Sequence, residues 1–158
     1  MDKIDIVVAS VDDREYIHQC IEIAKEQQPS GVFSLTSIEL AKFVICARQN
    51  GKVIGFVSLM ENVLELKDLY IDQIVVKGEY KGTGLGATML EYVKKHSLGH
   101  EKITTNVRRK DDGLMKFYHR LGFKQEEGRF DYYEFKLNTS EMEDNQSLTY
   151  TDFDIENE

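Results

Sequence analysis

Lys81-Gly82-Thr83-Gly84-Leu85-Gly86 separates two apolar stretches of different period. Before it, Leu69 to Lys77 reads Leu-Tyr-Ile-Asp-Gln-Ile-Val-Val-Lys, rich in β-branched residues and strand-like. After it, Ala87 to His96 carries apolar residues at helical spacing. Strand, glycine loop and helix in that order make an anion cradle. Glycine adopts φ > 0 without a Cβ clash and lets the backbone approach a ligand. The first amides of the helix have no internal partner and lie at the positive end of its dipole. A phosphate group satisfies both, so the loop is expected to bind a pyrophosphate.

The rest of the chain supplies further strands and helices around this unit. Upstream, Lys3 to Ala9 is expected as a strand and Tyr16, Ile17, Cys20, Ile21 and Ala24 as one face of a helix. Pro29 and Gly31 then mark a loop, with a short second helix over Ser34 to Leu40. Lys42 to Arg48 and Lys52 to Met60 are strands joined at Asn50-Gly51, a pair that accepts the positive φ of a type I′ hairpin turn. Downstream, the helix after the loop is expected to end near Leu98-Gly99. Lys102 to Arg108 reads as a strand, Asp111 to Leu121 as a helix stopped by Gly122, and Phe123 to Glu127 and Tyr132 to Leu137 as a last pair of strands. The pattern is a single mixed α/β domain over 1–137. From 138 to 158 the chain is polar, aperiodic and acidic, and is expected as a mobile tail.

The chain has 158 residues and a net charge of -8. The tail from Asn138 holds no Lys or Arg, and without its acids the body is close to neutral. A neutral body gives no electrostatic footprint for nucleic acid. No stretch reaches the ~20 apolar residues of a membrane span, and the start lacks a signal-peptide pattern. Cys20 and Cys46, the two cysteines, lie in apolar runs, so a reducing, cytoplasmic setting is expected. No metal-ligand spacing is present.

Three readings compete for the loop. Gly82-x-Gly84-x-x-Ala87 fits the dinucleotide fingerprint, but such folds put the loop after their first strand. Here several strands precede it, and the next strand ends in Arg108-Arg109 rather than an acid. A P-loop is excluded because no Gly-Lys-Ser/Thr follows the glycines. A ligand-free turn would not need three closely spaced glycines.

The loop resembles the signature of the GCN5-related N-acetyltransferases (GNAT), Gln/Arg-x-x-Gly-x-Gly/Ala between a central strand and a helix, with Lys81 in the first position. A second family signature, Asn-x-x-Ala-x-x-x-Tyr followed by Gly-Phe, is similar to Asp111-Asp-Gly-Leu114-Met-Lys-Phe-Tyr118-His-Arg-Leu-Gly122-Phe123. Tyr118, Gly122 and Phe123 match, while Asp111 and Leu114 replace the Asn and the small residue. The resemblance covers roughly Ile4 to Leu137.

It implies an α/β fold with a mixed, mostly antiparallel central sheet flanked by helices. It also implies an acetyl-CoA-dependent N-acetyltransferase acting on a small-molecule or peptide amine in a ternary complex. Lys81, Gly82, Thr83, Gly84, Leu85, Gly86, Ala87 and Thr88 would bind the pyrophosphate of acetyl-CoA. The main chain of Ile74, Val75 and Val76 would pair with the pantetheine arm on a bulged, splayed strand. Tyr118 would protonate the departing thiolate. Asp111 would contact the cofactor, although a helix N-cap explains it equally well. Asp72 is the leading candidate for the base that receives the amine proton, ahead of Glu65 and Glu79. No role falls to the histidines or cysteines. The family's substrate pocket maps to Glu26 to Ser37 and Glu126 to Asp131, and members of this shape often form homodimers. A degenerate module that binds acyl-CoA without turnover, and an enzyme directed at protein, are the alternatives.

Overall fold

The computed structural model describes residues 3–10, 12–27, 38, 41–61, 67–97 and 99–139. Seven strands form one sheet in the order β1-β2-β3-β4-β5-β7-β6. They are β1 (Ile4–Ala9), β2 (Phe43–Gln49), β3 (Lys52–Glu61), β4 (Asp68–Val76), β5 (Lys102–Arg108), β6 (Lys124–Glu127) and β7 (Tyr132–Asn138). Among the described strands only β4 and β5 are parallel. Among the described residues, the helices α1 (Arg14–Gln27), α2 (Leu85–Lys95) and α3 (Asp112–Arg120) flank the sheet. The expected mixed, mostly antiparallel α/β architecture is the observed one. The expected helix over 34–40 and the tail from 140 onward lie outside the described residues, apart from Ile38, which is helical and fully buried. The folded unit includes Thr139, whose amide bonds to Glu101 O at 2.9 Å.

The sheet divides the interior into two cores. On one face α1 lays Ile17, Cys20, Ile23 and Ala24 against Val44, Phe56 and Val75. On the other, α2 and α3 bury Leu85, Met89, Leu90, Val93 and Tyr118 against Ile71, Ile103 and Phe135. Successive side chains along the central strands go to the two cores in turn, as the period of two of a strand dictates. The Asn50-Gly51 turn has φ of 55° and 76°, the left-handed pair that a two-residue hairpin demands.

Helix α2 ends earlier than its periodicity suggests. Ser97 Oγ donates to Lys94 O at 2.6 Å and closes the turn before Gly99 is reached. Its last turn also contains a buried cation. Lys94, 4% exposed, donates to Glu91 Oε1 at 2.9 Å and to Leu121 O at 3.1 Å, tying α2 to the end of α3. Truncating one partner of a buried ion pair strands the other. Lys94→Ala is expected to lower stability by about 2–3 kcal/mol, read as a shift in the urea midpoint at unchanged slope.

Two irregularities of β4 position the site. First, Ser58 pairs with Gln73 but Leu59 with Ile71, so Asp72 is an extra residue on β4 and forms a bulge. Second, β4 pairs with β5 only at Asp68, Leu69 and Tyr70, whereas β5 continues with β7 to Arg108. Beyond Tyr70 the two parallel strands therefore splay. Thr105 Oγ1 reaches across at the fork and donates to Ile71 O at 3.0 Å.

Candidate active site

The segment after β4 makes a single 3-10 turn, Gly78–Tyr80, before the glycines begin. Tyr80 anchors this turn by donating its phenol to Gln49 Oε1 on the β2–β3 hairpin, and the Thr83 hydroxyl closes back on Tyr80 O. Gly82 and Gly84 have φ of 79° and 84°. Gly84 is the N-cap of α2 and provides no side chain to cap it, and the first helical bond runs from Thr88 N to Gly84 O at 3.0 Å. The amides of Gly84, Leu85, Gly86 and Ala87 therefore precede the helical ladder. Helix α2 also has no acid in its first turn, while α1 has Glu15 and α3 has Asp112 there. The positive end of its dipole is left for an anion from outside.

These amides open into a cleft of about 470 Å³ between β4, the loop and α3. Ile74 and Val76 form its β4 wall, and Lys81, Gly82 and Gly84 through Ala87 form its end. The opposite wall is Leu114, Phe117 and Arg120, spaced three apart along α3, with Tyr80 at the rim. A Cβ on Gly86 would stand 3.3 Å from the Phe117 ring, so a glycine keeps the loop and α3 in contact.

Several residues expected here stand elsewhere. Val75 packs its side chain in the α1 core, which the main-chain role expected of it allows. Thr88 is buried and bonds to Gly84 O at 3.1 Å. Asp111 caps α3, its carboxylate accepting from Leu114 N at 3.1 Å. Asp72 lies at the bulge on the sheet's other face, and Glu79 pairs with Lys77 at 3.4 Å. Glu65 and nearly all of the segment 26–37 fall outside the described residues. Periodicity places Leu114 and Phe117 on one face of a helix and gives no signal for Tyr80 or Arg120. The three-residue spacing from Leu114 to Arg120 was the available clue.

Tyr118 is 1% exposed and packed among Phe117, Phe123 and Phe135. The end of α3 fixes it there. Phe123 N bonds to Tyr118 O and Gly122 N to His119 O, both at 3.1 Å, with Gly122 at φ 92°. This is the Schellman arrangement, and the Tyr118–Phe123 ring contact at 5.1 Å is its accompanying apolar contact. Burial pushes the phenol well above its usual range, and a hydrogen bond with Thr105 opposes this in part. Thr105 is the residue that bridges the fork between β4 and β5, so the phenol stands at that fork and stays protonated.

Residues 13–123 match the family model described as the acetyltransferase (GNAT) family. The chain belongs to this family, and its domain is an N-acetyltransferase domain. Among relatives of this GNAT protein, 5-NmdU N-acetyltransferase of Pseudomonas phage PaMx11 is 29% identical over 111 residues, covering 66% of this chain and 78% of the phage protein. An uncharacterised N-acetyltransferase of Methanocaldococcus jannaschii, MJ1207, is 31% identical over 93 residues, 54% of this chain and 40% of the archaeal one. The match thus spans well under half of that relative. The fold is similar to PaiA N-acetyltransferase of Thermoplasma acidophilum, solved in complex with coenzyme A, with a TM-score of 0.67 and 20% identity over 86% of this chain and 99% of that one. The described helices include none long and apolar enough to cross a membrane.

Proposed function

We propose that the protein transfers the acetyl group of acetyl-CoA to a primary amine by direct attack in a ternary complex. One observation carries this reading: a helix N-terminus free of its own acids, a strand edge released by the splay, and a protonated buried tyrosine lie along one path. The cleft residues fit the cofactor. The amides of Gly84 through Ala87, with Lys81, would hold the pyrophosphate. The edge of β4 from Asp72 to Val76 faces the gap left by β5, where the main chain of Ile74 to Val76 can pair with an amide-bearing arm. Acetyl-CoA supplies a thioester carbon for attack and a thiolate as leaving group. Tyr118 would donate its proton to that thiolate, and Asp72, two residues beyond the end of the β4–β5 pairing, would receive the proton of the amine.

A route through a cysteine is disfavoured. Cys20 and Cys46 are fully buried with their Sγ atoms 3.6 Å apart, and the Cys46 contact together with burial pushes the Cys20 thiol far up. A protonated thiol in the core is a poor acetyl acceptor. Two free thiols also suit a reducing, cytoplasmic setting.

Calorimetric titration with acetyl-CoA, followed by an assay for free thiol release against a panel of amines, tests the reading. Binding together with steady thiol release supports it, and no binding at millimolar ligand sinks it. Arg120, at the exposed end of the α3 wall, is expected to steer the phosphates. Arg120→Ala should raise the KM for acetyl-CoA about 3- to 10-fold, the effect shrinking at high salt, with kcat nearly unchanged. A salt-independent change would assign Arg120 to packing instead.

A further inference from the structure

Tyr118 does not stand alone at the β4–β5 fork. Thr105 lies in the middle of β5 and is buried. Its cross-strand partner on β7 is Phe135, whose ring stands 5.9 Å from that of Tyr118. Side chains paired across strands share a face, so Thr105 is on the side of the sheet that α3 covers. Its hydroxyl has two partners. It donates to Ile71 O at 3.0 Å, and it bonds with the Tyr118 phenol. The chain from Tyr118 through Thr105 to Ile71 O thus runs from the buried ring to the backbone of β4, one residue before the Asp72 bulge.

The sheet register explains why this hydroxyl is held. β4 pairs with β5 through Tyr70 and no further, so from Ile71 onward its main chain lacks that neighbour. A buried carbonyl needs a donor, and Thr105 is the one that Ile71 O receives across the fork. A hydroxyl has one hydrogen to give and two lone pairs to accept with. While the Thr105 hydrogen is on Ile71 O, the phenol is the donor in the Tyr118–Thr105 bond. The phenol hydrogen is therefore aimed into the fork and away from the rings of Phe117, Phe123 and Phe135. When Tyr118 gives its proton away, the bond reverses, and Thr105 turns its own hydrogen to the phenolate. No covalent bond changes at Thr105, and the transferred proton goes from the Tyr118 oxygen to the departing sulfur. Without that turn the phenolate would form in an apolar pocket, where an unmatched charge is costly. Burial and Tyr70 both disfavour the Tyr118 anion, and Thr105 is the group that favours it.

We propose that Thr105 is a positioning residue for the acid step: it aims the Tyr118 phenol into the β4–β5 fork and then holds the phenolate as the thiol leaves. The assignment rests on the transfer reaction proposed above and adds a second residue to its acid. Thr105 touches neither cofactor nor acceptor in this role and acts only through Tyr118.

Thiol release from acetyl-CoA tests it, with hydroxylamine as acceptor, a small neutral nucleophile that needs no particular amine pocket. Thr105→Val removes the hydroxyl at nearly constant shape. It should lower the apparent kcat about 10-fold, the lower end for a bond to a charged group, with the KM for acetyl-CoA within about two-fold. Thr105→Ser keeps the hydroxyl and should restore most of the rate. In a Tyr118→Phe background, Thr105→Val should cost less than about two-fold, because the two side chains act as one unit. Thr139→Val, which removes a hydroxyl bonded to His100 O beyond the end of β7, should leave kcat unchanged. Thermal melts check each fold, and Thr105→Ala is a second hydroxyl-free variant should Thr105→Val fail. A full rate without the hydroxyl, no recovery in Thr105→Ser, or an undiminished Thr105→Val loss in the Tyr118→Phe background would each overturn the proposal. Unchanged turnover in Tyr118→Phe removes the acid itself, whereas a Tyr118→Phe loss without a Thr105→Val loss removes only the positioning role. No protein-dependent thiol release with hydroxylamine or the amine panel removes the transfer reading and this role with it.

Discussion

Tyr118→Phe lowers kcat by about 100-fold while acetyl-CoA affinity stays within about two-fold of the native value. Loss of a positioned general acid typically costs ~10²- to 10⁴-fold, and the lower end applies because solvent can still protonate a thiolate. The ring keeps its contacts with Phe117, Phe123 and Phe135, so the Schellman end of α3 and the cleft wall survive the change. Single-turnover thiol release beside calorimetry separates the two quantities. Unchanged turnover would remove Tyr118 from the chemistry and leave it a core residue. The pH profile gives a second check. Because burial raises the phenol, the folded protein retains the proton where the unfolded chain, near pH 10, loses it. Tyr118 therefore causes no loss of rate below about pH 10, and stability falls with rising pH only above that value.

Gly84→Val is expected to raise the acetyl-CoA dissociation constant by about 100-fold, close to 2.7 kcal/mol. At φ 84° a β-branched residue is strained by about 1–3 kcal/mol. The loop relieves that strain by turning its amides away from the anion position, and each charge-assisted bond so lost is worth about 1.5–3 kcal/mol. Gly51→Val provides the control. Gly51 has φ 76° and nothing near its Cβ position, so the same strain is placed in a hairpin turn remote from the cleft. Both variants should lose stability, and only Gly84→Val should lose acetyl-CoA. Equal binding losses would mean that strain alone, and not the amide array, sets affinity.

The contrast between these two residues shows where local sequence suffices. Asn50-Gly51 predicts its turn because positive φ is a property of the residues themselves. Gly82 and Gly84 are legible for the same reason. So is Tyr118-x-x-x-Gly122-Phe123, which encodes a helix end held by two backbone bonds and one ring contact, all within six residues. Asp111 was legible as two things at once, and the Leu114 N bond makes it a cap. Leu114 and Phe117 are legible only as one apolar face of α3. Apolar spacing finds the face of a helix that leaves water, and it does not distinguish a packed core from the wall of a cleft.

Local chain chemistry thus dictated the hairpin turn, the glycine cradle and the helix end that fixes Tyr118, because each depends on contacts a few residues apart. The tertiary structure decided the rest. The β4–β5 splay arises because β5 follows β7 while β4 follows β3, and the bulge at Asp72 exists only relative to Ser58 and Leu59 on another strand. The gathering of Ser58, Gln73, Thr104 and Glu134 on one face depends on the register of four strands, which are joined by backbone pairing between segments distant in the chain. No window of sequence contains that pairing.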